Sequence, residues 1–285
     1  MKLAFETGSL LLFGYRFEDY MKFASEMKFD AVELWCDRKE LWPALVKPVQ
    51  RKKLKESIDQ YGLEVVSILP DPFLRVRQWK VFEFRVNIAH ASAKARKRSV
   101  QFYKTALDVG RELGVEVVLA LPGAIEQPNL MLSKSSYRNH WENAVDSLRE
   151  CAKHAENVGV CLGIENAVVC NFGDRPEELL KMVQQVGSEY VKVYLDIANG
   201  NVFFPPKDYL EMLHGLLAGC IHVSDNDGSY PSHLPIGMGT IDFKSCVETL
   251  KRFGWDGYLV PETFYAKDPE FGVRKSKQVL EELLS

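Results

Sequence analysis

The chain has no CxxC pair among its six cysteines, no apolar run near the length of a membrane span, and no linker rich in proline, serine or glycine. Each absence removes a class of protein. Cys36, Cys151, Cys161, Cys170, Cys220 and Cys246 are scattered, which argues against a zinc-finger or disulfide scaffold and for reduced, mostly buried thiols in a cytoplasmic protein. Cys161 and Cys220 lie inside apolar segments, where cysteine behaves as a small hydrophobe. Without a long apolar run no membrane partner is expected. The short apolar patch at residues 10–13 has acidic residues on both sides and no cleavage-like site after it, so a secretory signal is not expected. Charge of one sign is also lacking: 36 basic against 39 acidic residues leave a net charge of −3, which speaks against a surface built for nucleic acid or anionic lipid. The missing linker points to a single domain over residues 1–285.

What is present is an alternation of short apolar runs with amphipathic stretches. A hydrophobic content of 46% over 285 residues is ample for one large core. Strand-like segments fall at residues 3–6, 31–35, 64–69, 116–121, 160–165, 191–196, 220–224 and 258–262. Several are continuously apolar, as parallel strands covered on both faces are. Gly62, Gly114, Gly159, Gly187 and Gly254 each sit between the end of a helical pattern and the start of a strand, the position where a left-handed backbone ends a helix. Asp174 and Asp242 are placed to cap helices, Asp174 with a proline and two glutamates behind it. The pattern predicts an α/β chain folded as a (β/α)8 barrel. Residues 70–91, with Pro72, Phe73, Arg75, Arg77 and Trp79, are too long for an ordinary strand-to-helix loop. They suggest either a lid over the barrel mouth or a helical extension. The basic run at residues 94–99 lies in a helical pattern and reads as its solvated face rather than a nucleic-acid patch.

Four strand segments in the second half end in residues that bind metals. GVCLGIE ends at Glu165, VKVYLD at Asp196 and GYLVPE at Glu262, while GCIHV carries His222. Strand ends are where a barrel gathers its chemistry. Two Glu, one Asp and one His make an oxygen-rich site for a divalent metal, a set that admits manganese, magnesium, cobalt or zinc.

The surroundings of these residues carry a resemblance over essentially the whole chain. Glu165 stands in GIEN, Asp196 in LDIAN and His222 in IHVSDND. HLPIGMGTIDF follows, and GWDGYLVPE closes the series. The sequence resembles the xylose isomerase-like family of TIM barrels, the sugar phosphate isomerase and epimerase group, and within it the ketose 3-epimerases. The resemblance implies that Glu165, Asp196, His222 and Glu262 hold one divalent ion, manganese foremost. It also implies that Glu165 and Glu262 exchange a proton with a carbon next to a polarised carbonyl of a small sugar, inverting that centre. Barrels of this kind commonly pair, so a homo-oligomer is an accompanying expectation.

Departures from the family pattern matter as much. Asn199 stands where the epimerases often have a His, and Gly228 where they tend to have an Arg, so no particular sugar is named. The nuclease branch, resembling endonuclease IV, builds a three-metal site. Pro70, Leu121, Asn199 and Pro231 occupy positions where that site has ligands, so a metal-dependent hydrolase of that type is disfavoured. An inosose-type dehydratase, which would expel a hydroxyl with the same metal and base, is the first alternative. A barrel that binds a ligand without turnover is another. His233, before the Gly237-Met-Gly turn, either faces the metal or substrate or is a loop residue. Glu33 and Trp35 end the second strand-like segment at the same barrel face, where Trp35 offers an aromatic wall to a sugar or simply packs. Asn199 can donate an amide to a sugar hydroxyl, and Asn166 can support its neighbouring ligand. The glycine turn lacks the lysine and spacing of a phosphate loop. His90, His140, His154 and His214 read as ordinary helix residues.

Overall fold

The computed structural model describes residues 1–37, 41–43, 46–75, 82–125 and 134–285. Among the described residues ten strands follow one another: β1 (Lys2–Glu6), β2 (Ala31–Cys36), β3 (Glu64–Pro70), β4 (Phe73–Arg75), β5 (Phe82–Phe84), β6 (Val117–Ala120), β7 (Cys161–Glu165), β8 (Val191–Tyr194), β9 (Cys220–Val223) and β10 (Tyr258–Pro261). All but β4 and β5 form a parallel sheet in the order β8-β7-β6-β3-β2-β1-β10-β9. The eight strand segments read from the sequence are these eight strands, shifted by one or two residues at their ends. Helices follow the strands and cover the outer face, giving the expected (β/α)8 barrel.

The sheet closes between β8 and β9 through single parallel bridges, Val193 to Leu217 and Asp196 to His222. Ala218 N–H donates to Val193 O at 2.7 Å and His222 N–H to Leu195 O at 2.9 Å. The seam that closes the barrel is therefore the contact that sets Asp196 beside His222. One irregularity lies on the other side of the barrel. Val32 of β2 pairs with Val65, but the next residue, Glu33, pairs with Ser67, so β3 carries one extra residue. Such bulges turn a side chain to the other face of the sheet.

Apolar residues form two layers. The larger lies between the sheet and the helices and includes Phe5, Val32, Ile68, Tyr103 and Leu162. The smaller fills the barrel interior with Ala4, Ala31, Val66, Leu119, Cys220 and Val260. Gly163 makes room for this inner packing: a Cβ there would lie 2.9 Å from the Tyr194 side chain and 3.0 Å from Val117. All six cysteines are free, five of them buried and Cys161 partly so.

Helix ends follow the expected chemistry with one exception. Gly114 and Gly187 close their helices with φ of 83° and 71°, and Gly62, Gly159 and Gly254 share that hand. Asp242 caps the helix Phe243–Arg252 by accepting the Ser245 N–H. Asp174 does not cap its helix: Pro176 takes the first helical position of Pro176–Val186, which makes Arg175 the cap residue. Asp174 is instead turned inward and buried, with Oδ1 lacking a hydrogen-bond partner among the described residues. The basic run is exposed at Lys94, Lys97 and Arg98 on the helix Ala93–Leu113. Residues 70–91 correct the helical alternative, because β4 and β5 pair as an antiparallel hairpin whose Phe73 and Phe84 rings meet at 4.9 Å. Arg77 and Trp79 lie outside the described residues.

Asp174 generates a test of the fold. Burial, with repulsion from Glu178 and against the pull of Arg175, pushes its carboxyl from an ordinary 3.8 up to about 7. The folded protein then binds this proton more tightly than the unfolded chain, so stability falls as pH climbs from about 4 to about 7. Asp174→Asn removes that loss. Its urea midpoint relative to the unsubstituted protein should rise across this window and stay level below it; a difference independent of pH would contradict a buried, proton-binding Asp174.

Candidate metal centre

The site sits at the C-terminal ends of β7 to β10. Glu165 is the last residue of β7, Asp196 follows β8 by two residues, His222 lies within β9, and Glu262 follows Pro261 of β10. All four are buried, and one ligand atom from each lies within 4.8 Å of the others. Among the described residues this is the one group of metal-ligand side chains gathered so closely. His222 Nδ1 is 3.0 Å from Glu165 Oε1 and 3.6 Å from Glu262 Oε2.

Local backbone interactions hold the ligands. Asp196 caps the short helix Ile197–Asn201, its Oδ1 accepting the Asn199 N–H at 2.8 Å. Its Oδ2 is buried and accepts no hydrogen bond among the described residues. Asn166 clamps the Asp196 backbone from both sides, donating Nδ2–H to its carbonyl at 2.8 Å and accepting its N–H at 2.7 Å. Asp225 organises the loop after β9 by accepting N–H groups from Asn226 and Gly237 at 2.9 Å and from Ile241 at 3.1 Å. The glycine turn is thus pinned to a carboxylate. Gly239 must lack a side chain because a Cβ would come within 2.3 Å of Asp225 Oδ1.

This loop delivers His233, with φ of +46°, to the cluster. Its Nδ1 lies 3.2 Å from Glu262 Oε2, 4.0 Å from Asp196 Oδ2 and 3.0 Å from Ser224 Oγ. Phe264 packs against it at 5.0 Å and meets the Trp35 ring edge-on at 6.2 Å. Of the three residues expected to face a substrate, His233 reaches the cluster with its side chain. Asn199 touches it through its backbone, and Trp35 stands one ring beyond His233. Gly228 has φ of +82°, and Leu121 is buried in the inner apolar layer.

Beneath the ligands lies a layer of polar side chains, of which sequence reading placed Glu33 at this barrel face and missed Tyr194, Ser67 and Glu6. Glu33 Oε1 lies 2.6 Å from His222 Nε2. Glu33 Oε2 accepts from Tyr194 Oη at 2.5 Å and from the Ser67 hydroxyl. Glu6 accepts from the Gly8 N–H, and from Ser9 N–H and Oγ–H at 2.7 and 2.9 Å. The available signal was a charged or hydroxyl residue inside an otherwise apolar strand, as in AVELWC and EVVSILP.

Crowded carboxylates in a dry interior disturb one another. Burial, joined by Glu262 and Glu33, pushes Glu6 up to about 8. Burial raises Asp196 to about 7, against the pull of His233 and with repulsion from Glu262 and Glu165. Burial would lower His233 and His222, yet the surrounding carboxylates, Glu262 first, carry His233 up to about 9 and His222 well above its usual range. Excess negative charge, three carboxylates with one imidazole and an unused Asp196 Oδ2 suit a divalent cation.

Comparison with known proteins agrees with this architecture. Residues 21–283 match the family described as xylose isomerase-like TIM barrel. An uncharacterised protein of Methanocaldococcus jannaschii is 31% identical over 291 residues, covering 100% of this chain and 90% of that one. Fructoselysine 3-epimerase of Escherichia coli O157:H7 is 24% identical over 273 residues, covering 92% of this chain and 91% of the relative. A solved D-tagatose 3-epimerase-like protein is 27% identical with a TM-score of 0.81, covering 100% of this chain and 97% of that one. The barrel, its strand-end cluster and the match over nearly its whole length establish that this chain belongs to the xylose isomerase-like TIM-barrel family.

Proposed function

We propose that the protein is a divalent-metal-dependent epimerase or isomerase of a small ketose, with Glu165 and Glu262 as its proton-transferring groups. At the level of the family it is an enzyme, and the relative of stated activity compared above is fructoselysine 3-epimerase. The observation that carries the proposal is the convergence of two buried glutamates from different strands on one imidazole nitrogen, His222 Nδ1 lying 3.0 Å from Glu165 and 3.6 Å from Glu262. Their strands, β7 and β10, are separated round the barrel by β8 and β9, which bring Asp196 and His222 between them.

Glu165, Asp196, His222 and Glu262 would hold the cation, manganese being the first choice by resemblance to the family, with magnesium, cobalt or zinc also compatible with the donor set. When bound, it supplies positive charge that polarises a carbonyl and stabilises the negative charge developing on its oxygen. The chain's own residues do the rest. One glutamate takes the proton from the carbon next to the carbonyl, and its partner returns a proton to the opposite face of that carbon, which inverts the centre. The roles exchange when the reaction runs backwards. His233, held by Glu262 and Ser224, offers its ring to a sugar hydroxyl, and Asn199 lies close enough to Asp196 to share that task. Trp35 and Phe264 provide an aromatic surface for the C–H face of the substrate. A cytoplasmic protein that forms a homo-oligomer completes the proposal.

Two outcomes test it. Glu262→Gln and Glu165→Gln should each slow entry of solvent deuterium into a ketose substrate by about 10² to 10⁴, read by mass spectrometry. Exchange at the unsubstituted rate in either variant would remove that residue from proton transfer. The product of the unsubstituted enzyme, formed in ordinary water, should have the mass of its substrate. Loss of one water would replace the epimerase reading with a dehydratase.

A further inference from the structure

Below the four ligands, the floor of the site is a buried polar hub centred on Glu33. Its two oxygens are used differently. Oε2 accepts from the Tyr194 and Ser67 hydroxyls, which stand 3.4 Å from each other. Oε1 is left to face His222 Nε2 at 2.6 Å.

The hub is built by features that apolar packing does not call for. The extra residue in β3 sets Ser67 opposite Glu33. Gly163 leaves the space that the Tyr194 side chain fills. Tyr194, Ser67, Glu33 and His222 are each fully buried in a barrel interior that also holds Cys220 and is otherwise mostly alanine, valine and leucine. An acceptor fixed against one ring nitrogen of an imidazole decides which nitrogen carries the proton in the neutral ring.

We propose that Glu33 is a positioning residue: it keeps the His222 proton on Nε2 and so presents Nδ1, the nitrogen facing Glu165 and Glu262, as the ligand atom. The proposal rests on the reading of the four residues as a metal centre. Glu33→Gln is the informative variant. The Gln carbonyl must serve the Ser67 and Tyr194 hydroxyls, which turns its amide N–H towards His222 Nε2. That nitrogen becomes an acceptor, and the proton moves to Nδ1, where it blocks coordination.

Two readouts on ¹⁵N-histidine-labelled protein test this with Zn²⁺ as the probe. Two-bond ¹H–¹⁵N correlation of the zinc-loaded unsubstituted protein should show His222 protonated on Nε2. Chelator-competition titration should show zinc affinity falling by about 10- to 100-fold in Glu33→Gln. A zinc-loaded unsubstituted protein with its His222 proton on Nδ1 would overturn the proposal, and this spectrum decides even where the variant does not fold. Unchanged zinc affinity in a folded Glu33→Gln would overturn the Glu33 assignment alone. An unsubstituted protein that takes no zinc would overturn the metal reading and Glu33's role with it.

Discussion

Five carboxyl groups, from Glu6, Glu33, Glu165, Asp196 and Glu262, are buried together at one end of the barrel with the His222 imidazole, and the partly buried His233 ring lies against them. Ions removed from water cost several kcal/mol each unless donors or opposite charges replace the lost hydration. Much of the local structure meets that demand. Glu6 takes three donors from the turn after β1, Glu33 takes two hydroxyls and an imidazole, and Asp196 takes a helix N–H. Asp196 Oδ2 remains without a donor, and it lies in the group where four ligand atoms converge. A divalent cation is the species that would complete the charge balance at that point.

The fold is arranged round this constraint. The barrel closes where Asp196 bridges to His222, so the seam of the sheet and the middle of the cluster are one feature. Small inward residues such as Ala4, Ala31 and Gly163 leave room for long polar side chains from neighbouring strands. The loops above are tied down by Asn166 and Asp225, whose side chains bond backbone groups rather than each other's charges. These ties fix the positions of Asp196 and His233. They leave the carboxylates of Glu165 and Glu262 available for chemistry.

The strands were legible because parallel strands covered on both faces must be apolar along their length, as in VKVYL and YLVP. Their ends were legible because four chemically related residues follow or finish such runs. The inner layer was not. Glu33 could be placed at the barrel face, but its partners could not, and Tyr194 became meaningful only once the sheet had closed. Ser67 was harder still, because it reaches the inner face through an extra residue that shifts the pairing. Asp174 had the composition of a helix cap, but Pro176 fixed the first helical position one residue too late for it. Asn199 was chosen for its amide, yet the contact in the structure is made by its backbone.

A single cation held by Glu165, Asp196, His222 and Glu262 is the claim on which the proposed chemistry rests. Anomalous diffraction from crystals soaked in manganese tests it most directly. One peak within coordination distance of all four residues is expected, with His222 Nδ1 towards it. No peak at this position, or two further peaks beside it, would contradict a one-metal site.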